Sequence, residues 1–136
     1  MNLTRLRESL KHHEGKRLKP YKDSVGVLTI GYGRNLDHVG ISEAEAEALL
    51  DNDIRSAYQS ALRVVPTLPL LTDARQEVVV EMTFNLGATR FGKFTKTLAL
   101  IDARDWTKAA LEMLDSRWAE QVGQRASTLS EKFRKG

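Results

Sequence analysis

The chain has 136 residues and a formal net charge of +3, with 41% hydrophobic and 29% charged residues, which is the balance of a soluble globular protein. This length suffices for one domain with a hydrophobic core but hardly for two. The absence of cysteine excludes a disulfide-dependent fold, and no apolar stretch is long enough to span a membrane.

The charge is distributed unevenly along the chain. Residues 1–22 contain seven Lys or Arg and two Glu, whereas residues 37–53 contain six Asp or Glu and neither Lys nor Arg. We expect the acidic run to form solvated helix faces. The basic run favours an anionic polymer as partner. Bacterial cell wall and nucleic acid are both such polymers, so charge alone does not decide between them.

The first predicted helix ends in a glutamate. Leu3, Leu6 and Leu10 recur at helical spacing, and Gly15 stands where a glycine commonly ends a helix. Glu14 would then lie at the negative end of the helix dipole, where a further negative charge is unfavourable. A carboxyl group that donates a proton at neutral pH needs such a setting.

A second carboxylate and a threonine follow in a predicted small antiparallel sheet. Asp23 opens a turn, and the clearest strand covers residues 27–30, which include Thr29. A helix end and a solvated turn are different environments for two carboxylates, as an acid and a base that work together require. Gly31 and Gly33 close the strand and would let the backbone approach a ligand closely.

The next predicted element is a long helix. Ser42 and Glu45 have the spacing of a capping box, and apolar residues keep helical spacing to about Val64. The prolines at positions 66 and 69 end this helix.

Four more helices are predicted after these prolines. The first begins at residues 72–73, ends at Gly87 and is apolar on most sides, so it should be the buried centre of the fold. The others cover about residues 93–103, about 105–114 and a last segment that carries Ala126, Leu129 and Phe133. We expect Trp106 and Trp118 to belong to the core.

Metal and cofactor chemistry have no supporting pattern. His12 and His13 are adjacent and point to different faces of a helix, and His38 is the one other histidine. There is no cysteine cluster, no H-E-x-x-H and no phosphate loop. We therefore expect no metal and no cofactor.

The order of these residues resembles the signature of the phage-type lysozymes, glycoside hydrolase family 24. Glu14, Asp23 and Thr29 match its spacing without gaps, and the strand closes with T-I-G-Y-G. Three later stretches resemble the same family in the same order, at residues 82–87, 92–95 and 116–126. Position 34 departs from the pattern, since it is Arg34 where the family often has histidine.

The resemblance implies an α+β, mostly helical, lysozyme-like fold. A small antiparallel-sheet lobe and a larger helical lobe would be joined by the long helix, with a cleft between the lobes. A single catalytic domain would fill residues 1–136, with the small lobe at about residues 14–60 and the helical lobe at about 1–13 and 61–136.

The resemblance also implies a muramidase that hydrolyses the β-1,4 bond between N-acetylmuramic acid and N-acetylglucosamine in peptidoglycan, for host cell lysis and phage release. Glu14 would protonate the leaving oxygen. Asp23 would activate a water or stabilise positive charge on the sugar, and Thr29 would orient that water. These roles suggest inversion, which needs carboxyl groups about 6.5–9.5 Å apart.

Further site residues follow from the same resemblance. Arg125 matches a family arginine near the catalytic glutamate and would hold its carboxyl group by a charge-assisted hydrogen bond. Gly31, Gly33, Phe84 and Thr97 would contact the substrate.

Three alternative functions remain open. A lytic transglycosylase uses one catalytic acid and the 6-hydroxyl of the sugar, and the presence of Asp23 and Thr29 argues against it. A wall-binding domain without activity is disfavoured by the intact Glu14, Asp23 and Thr29. A small basic nucleic-acid-binding domain agrees with the pI of about 9.3 but lacks a recognisable recognition helix.

The expected partner is the glycan strand of peptidoglycan, with neither nucleic acid nor stable membrane insertion, and the expected state is a monomer. Residues 1–14 have no apolar core of the length found in signal peptides. We therefore expect synthesis in the host cytoplasm and action on the wall after another protein has permeabilised the membrane.

Overall fold

The first helix, α1, spans Leu3–Glu14 in the computed structural model, which describes residues 1–136. The side chain of Asn2 caps its start by accepting a hydrogen bond from the backbone N–H of Arg5 at 3.0 Å. Gly15 ends the helix with a φ of 71°, a conformation that glycine adopts freely. No residue of α1 is buried, so its leucine face lies open.

A three-stranded antiparallel sheet follows, as the sequence predicts. Its strands lie in the order β1-β2-β3, with β1 at Arg17–Lys22, β2 at Leu28–Gly31 and β3 at Arg34–Asn35. The predicted turn between β1 and β2 is present, because the backbone N–H of Gly26 donates to the carbonyl of Asp23 at 3.0 Å.

The long helix α2 spans Glu43–Val64, and its capping box is confirmed. The backbone N–H of Glu45 donates to Ser42 Oγ at 3.1 Å, and the backbone N–H of Ser42 donates to Glu45 Oε1 at 2.9 Å. A short 3-10 turn at Leu68–Leu70 follows the end of α2 that the prolines predict.

Six helices complete the chain: α3 at Asp73–Leu86, α4 at Ala88–Phe91, α5 at Thr95–Asp102, α6 at Trp106–Leu114, α7 at Arg117–Val122 and α8 at Gln124–Lys135. The sequence pattern misses α4 and α7. They have four and six residues, which is too short for helical periodicity to show.

The core gathers around α3, α6 and α8, and its largest fully buried side chains are Phe91, Phe133, Leu68, Met82, Ile101 and Met113. Trp118 is buried and Trp106 packs half-buried against the core, as predicted. Helix α3 contributes five buried residues, in agreement with its predicted central position, but one of its faces is exposed. Phe84 is 47% exposed, because its face of α3 lines a groove. Half-buried Val80 lies one helical turn earlier on the same face.

The chain divides into two compact units, Met1–Ala48 and Leu49–Gly136. Thr29 is the buried residue of the first unit, and every buried apolar side chain belongs to the second. The α+β, mostly helical class is confirmed. The division into lobes at about residues 14–60 and at 1–13 with 61–136 stays a prediction. No helix combines the length and the apolar composition that crossing a membrane requires.

Candidate active site

Glu14 and Gly33 are brought together by the fold of the first unit. Glu14 is the exposed last residue of α1. A Cβ atom added to Gly33 would lie 2.8 Å from Glu14 Oε2 and 3.4 Å from its Cδ, so any larger residue at position 33 would force this carboxyl group to shift. Gly33 also has a φ of 78°, a backbone angle that residues with a Cβ atom rarely adopt.

Asp23 is held in one orientation by its own turn. Its Oδ1 accepts hydrogen bonds from the backbone N–H groups of Val25 at 3.0 Å and Val27 at 2.9 Å. An aspartate that bonds to the backbone just after it is a common way to stabilise a turn. Both bonds engage Oδ1, so that Oδ2 is the oxygen available to a water or a sugar.

Thr29 lies in β2 and is only 5% exposed. Its hydroxyl donates a hydrogen bond to the carbonyl of Val27 at 2.8 Å. A hydroxyl has one proton to donate, so the remaining capacity of Oγ1 is to accept. A water bound there must donate to Thr29, which restricts the orientation of that water.

The neighbours of Thr29 define one face of the sheet. Tyr21 is its partner in β1, and Asn35 is its partner in β3. Gly31 lies two residues along β2, on the same face. A Cβ atom at Gly31 would meet nothing within 4 Å, so the space above this glycine is open.

Sequence reasoning missed the contacts by which Arg34, Asp37 and Glu45 support this sheet. Arg34 Nη1 donates to the carbonyl of Gly40 at 3.0 Å and to Glu45 Oε1 at 2.9 Å. Asp37 Oδ2 accepts from the backbone N–H of Leu28 at 2.9 Å. The predicted solvated helix faces do not describe Asp37, which is exposed but lies before α2, or Glu45, which is paired with Arg34. The capping box was the available signal for Glu45, but nothing local identifies Arg34 as its partner.

The Arg34 contact changes the chemistry of Glu45. The hydrogen bond from Arg34, followed by the bonds from the backbone and side chain of Ser42, lowers the pKa of Glu45 to about 2. Glu45 is therefore an anion throughout the physiological range and a fixed partner for Arg34.

Phe84 and Arg125 line one groove of the second unit, with a volume of about 540 Å³ and a largely apolar wall that includes Leu50, Ile54, Tyr58 and Val80. Arg125 donates from Nε at 3.3 Å and from Nη2 at 3.1 Å to Glu81 Oε1. Within this unit, Arg125 therefore forms an ion pair with Glu81. The proposed hydrogen bond from Arg125 to Glu14 stays a prediction.

Thr97 lies apart from Phe84 and Arg125 within the second unit. It is 3% exposed and lines a groove of about 240 Å³ with Lys93, Phe94, Glu112 and Ser116. The structure therefore brings Phe84 and Arg125 to one groove and Thr97 to another. No group of three His, Cys, Asp or Glu side chains is placed to hold a metal ion.

Comparison with known proteins shows to which family the chain belongs. The family described as phage lysozyme matches residues 11–135. "Probable T4-type lysozyme 2" of Dictyostelium discoideum is 30% identical to this chain over 161 residues, which cover 96% of this chain and 94% of that protein. The SAR-endolysin of Escherichia phage Mu is 34% identical and is matched over 88% of this chain and 68% of its own length. The endolysin of Acyrthosiphon pisum secondary endosymbiont phage 1 is 32% identical, with 85% and 80% covered. Because the match to the family spans nearly the whole sequence, the chain belongs to the phage lysozyme family.

Proposed function

We propose that the protein is a peptidoglycan hydrolase that cleaves the β-1,4 bond between N-acetylmuramic acid and N-acetylglucosamine, and that it serves host cell lysis and phage release. The observation that carries this proposal is the exposed carboxyl group of Glu14 against Gly33, in the same unit as Asp23 and Thr29. Membership of the phage lysozyme family supports it, as do relatives that are named lysozymes and endolysins.

Glu14 is the general acid in this proposal. Its carboxyl group is exposed at the end of α1 and lies against a glycine backbone, so a sugar can approach it without meeting a side chain at position 33. Protonation of the leaving glycosidic oxygen is the step that a carboxylic acid performs in glycoside hydrolysis.

Asp23 and Thr29 would serve the attacking water. Asp23 has Oδ2 available while Oδ1 is held by its turn, and Thr29 can only accept a hydrogen bond from a water. A water that donates one proton to each oxygen directs a lone pair away from both. Attack from the face opposite the leaving group then inverts the configuration at the anomeric carbon.

The test is product analysis on purified peptidoglycan. We expect soluble fragments that end in reducing N-acetylmuramic acid, formed first as the α-anomer, as seen by mass spectrometry and by NMR during the first minutes of digestion. Glu14→Gln should fold like the wild type, as judged by circular dichroism and melting temperature, yet lose nearly all activity because an amide cannot supply the proton.

Four other results would each contradict a stated part of the proposal. Anhydro-muramic ends would make the protein a lytic transglycosylase, and an initial β-anomer would make it a retaining hydrolase. Full activity of Glu14→Gln would remove Glu14 from the acid role. DNA binding that falls steeply with salt, without release of any wall fragment, would favour a nucleic-acid-binding domain instead.

A further inference from the structure

Arg17 and Tyr21 form a stacked pair at the edge of the sheet. The Arg17 Cζ atom lies 4.9 Å from the centroid of the Tyr21 ring, within the range of a cation–π interaction. The Arg17 side chain is exposed, and its guanidinium forms none of the ion pairs found in the chain. Stacking restricts the guanidinium before any ligand arrives, which reduces the entropy lost on binding.

The register of the strands places this pair on the Thr29 face. Arg17 is opposite Gly31, and Tyr21 is opposite Thr29. The register shifts between these two pairs, so the face of Arg17 follows from its contact with Tyr21. Tyr21 is directly opposite Thr29, and residues directly opposite in an antiparallel pair point to the same face. Lys22 is opposite Leu28 and so lies on the other face of the sheet.

We propose that Arg17 is a substrate-binding residue that forms a bidentate contact with a carboxylate of the peptide stem attached to the glycan strand. This inference rests on the proposed function of the same site. A guanidinium presents two parallel N–H donors that match the two oxygens of a carboxylate, which the point charge of a lysine cannot do. The open space above Gly31, opposite Arg17, leaves room for a ligand on this face.

A simpler explanation exists for cations on β1. This strand has a neighbour on one side only, and charged residues and proline on such an edge prevent pairing with other chains. If edge protection were the whole role of these cations, replacing Arg17 and replacing Lys22 would have the same effect. Only Arg17 is stacked on an aromatic ring and lies on the face of Thr29, so the two explanations predict different results for the two residues.

The first experiment compares hydrolysis kinetics on peptidoglycan for Arg17→Met, Arg17→Lys and the matched control Lys22→Met. Arg17→Met should raise KM roughly tenfold, the size of one charge-assisted hydrogen bond, with little change in kcat. Arg17→Lys should recover part of this loss, and Lys22→Met should behave like the wild type. Equal defects in Arg17→Met and Lys22→Met would overturn the proposal in favour of edge protection.

The second experiment removes the carboxylates from the substrate. On peptidoglycan whose stem carboxyl groups have been converted to amides, the KM of the wild type should rise to the value that Arg17→Met shows on intact peptidoglycan. The KM of Arg17→Met should be the same on both substrates. An Arg17→Met defect of the same size on both substrates would show that Arg17 does not act through a stem carboxylate, and would overturn the proposal.

A binding assay separates this inference from the proposed function. The Glu14→Gln protein is sedimented with intact and with amidated cell walls, so that no hydrolysis is required. Binding to intact walls should weaken roughly tenfold when Arg17→Met is added and also when the walls are amidated. This result would stand even if the wild type released no fragments. Binding that is unchanged by both treatments would overturn the Arg17 contact whether or not the enzyme is active.

Discussion

At the scale of single residues, Gly33 links backbone conformation to the candidate acid. Its φ of 78° already disfavours a Cβ atom, and such an atom would lie only 2.8 Å from Glu14 Oε2. A glutamate side chain is flexible, so it would yield to an added methyl group by moving. Position 33 therefore determines where the Glu14 carboxyl group can lie.

Gly33→Ala should consequently reduce activity more than stability. We expect a loss of about 1–2 kcal/mol in the free energy of unfolding from the left-handed backbone. Hydrolysis should fall roughly a hundredfold because the acid is displaced from its position. The measurements are urea denaturation and fragment release from peptidoglycan.

Gly40→Ala is the matched control for Gly33→Ala. Gly40 has a φ of 62°, but a Cβ atom there would meet nothing within 4 Å. It should lose similar stability and keep most of its activity. Equal activity losses in the two variants would show that the effect of Gly33→Ala comes from backbone strain and not from Glu14.

At the scale of elements, the start of α2 and strand β3 are joined through Arg34 and Glu45. Arg34 Nη1 bonds Gly40 in the connecting loop and Glu45 in the first turn of α2. The same Glu45 oxygen completes the capping box with Ser42. A single carboxylate thus stabilises the helix start and the third strand together.

This contact makes stability depend on pH in the acid range. The pKa of Glu45 is lowered from 4.5 to about 2, so its contribution is fully present above pH 4.5 and is lost as the pH falls to about 2. The stability difference between wild type and Glu45→Gln should shrink over that window. Carbon-13 NMR should show Glu45 titrating near pH 2 in the wild type and closer to 4.5 in Arg34→Met. Unchanged titration in Arg34→Met would exclude Arg34 as the main cause.

The end of α8 depends on an arginine from α3. Arg75 donates from Nε to the carbonyl of Phe133 at 2.9 Å and from Nη2 to the carbonyl of Arg134 at 3.1 Å. Its guanidinium lies 4.3 Å from the centroid of the Trp106 ring. Burial lowers the pKa of Arg75. The last carbonyls of a helix lack partners within it, so Arg75 caps α8.

Arg75→Met should lower the free energy of unfolding by about 1–3 kcal/mol, because it keeps the apolar stem and removes both hydrogen bonds. Arg134→Met is the control, since Arg134 forms an exposed ion pair with Glu131 within α8 and should cost less than about 1 kcal/mol. Both values come from urea denaturation. A cost of Arg75→Met no larger than that of Arg134→Met would refute the capping role.

At the scale of the whole molecule, the two units differ in how they are stabilised. The buried apolar cluster belongs entirely to Leu49–Gly136, where α3, α6 and α8 contribute most of it. Met1–Ala48 contains the candidate acid, the Asp23 turn and Thr29, and is held by hydrogen bonds and by the Arg34–Glu45 pair. Burial of apolar surface is the larger source of stability.

Hydrogen exchange should reveal this difference. We expect amides of α3, α6 and α8 to exchange only through global unfolding, and amides of β1, β2 and β3 to exchange through smaller openings at lower free energy. Deuterium uptake followed by mass spectrometry measures both. Protection of β2 as strong as that of α3 would show that the first unit has stabilising contacts beyond those described.

Local patterns allowed much of the fold to be predicted from sequence. Helix α1, the Asp23 turn, the antiparallel sheet and the capping box of α2 depend on residues within a few positions of one another, so their signals are readable along the chain. The short helices α4 and α7 escaped prediction because one or two turns show no periodicity.

The sequence by itself determined the family of this protein, since the family matches residues 11–135, and it determined the order Glu14, Asp23, Thr29, which follows from spacing along one segment. Only the tertiary structure decided that Glu14 rests on Gly33, that Arg34 pairs with Glu45 and that Arg75 caps α8. These contacts join residues from 11 to 59 positions apart, from Arg34 with Glu45 to Arg75 with Arg134. Many residues compete for each such partner, and the choice among them is made by packing and chain geometry, which no local pattern encodes.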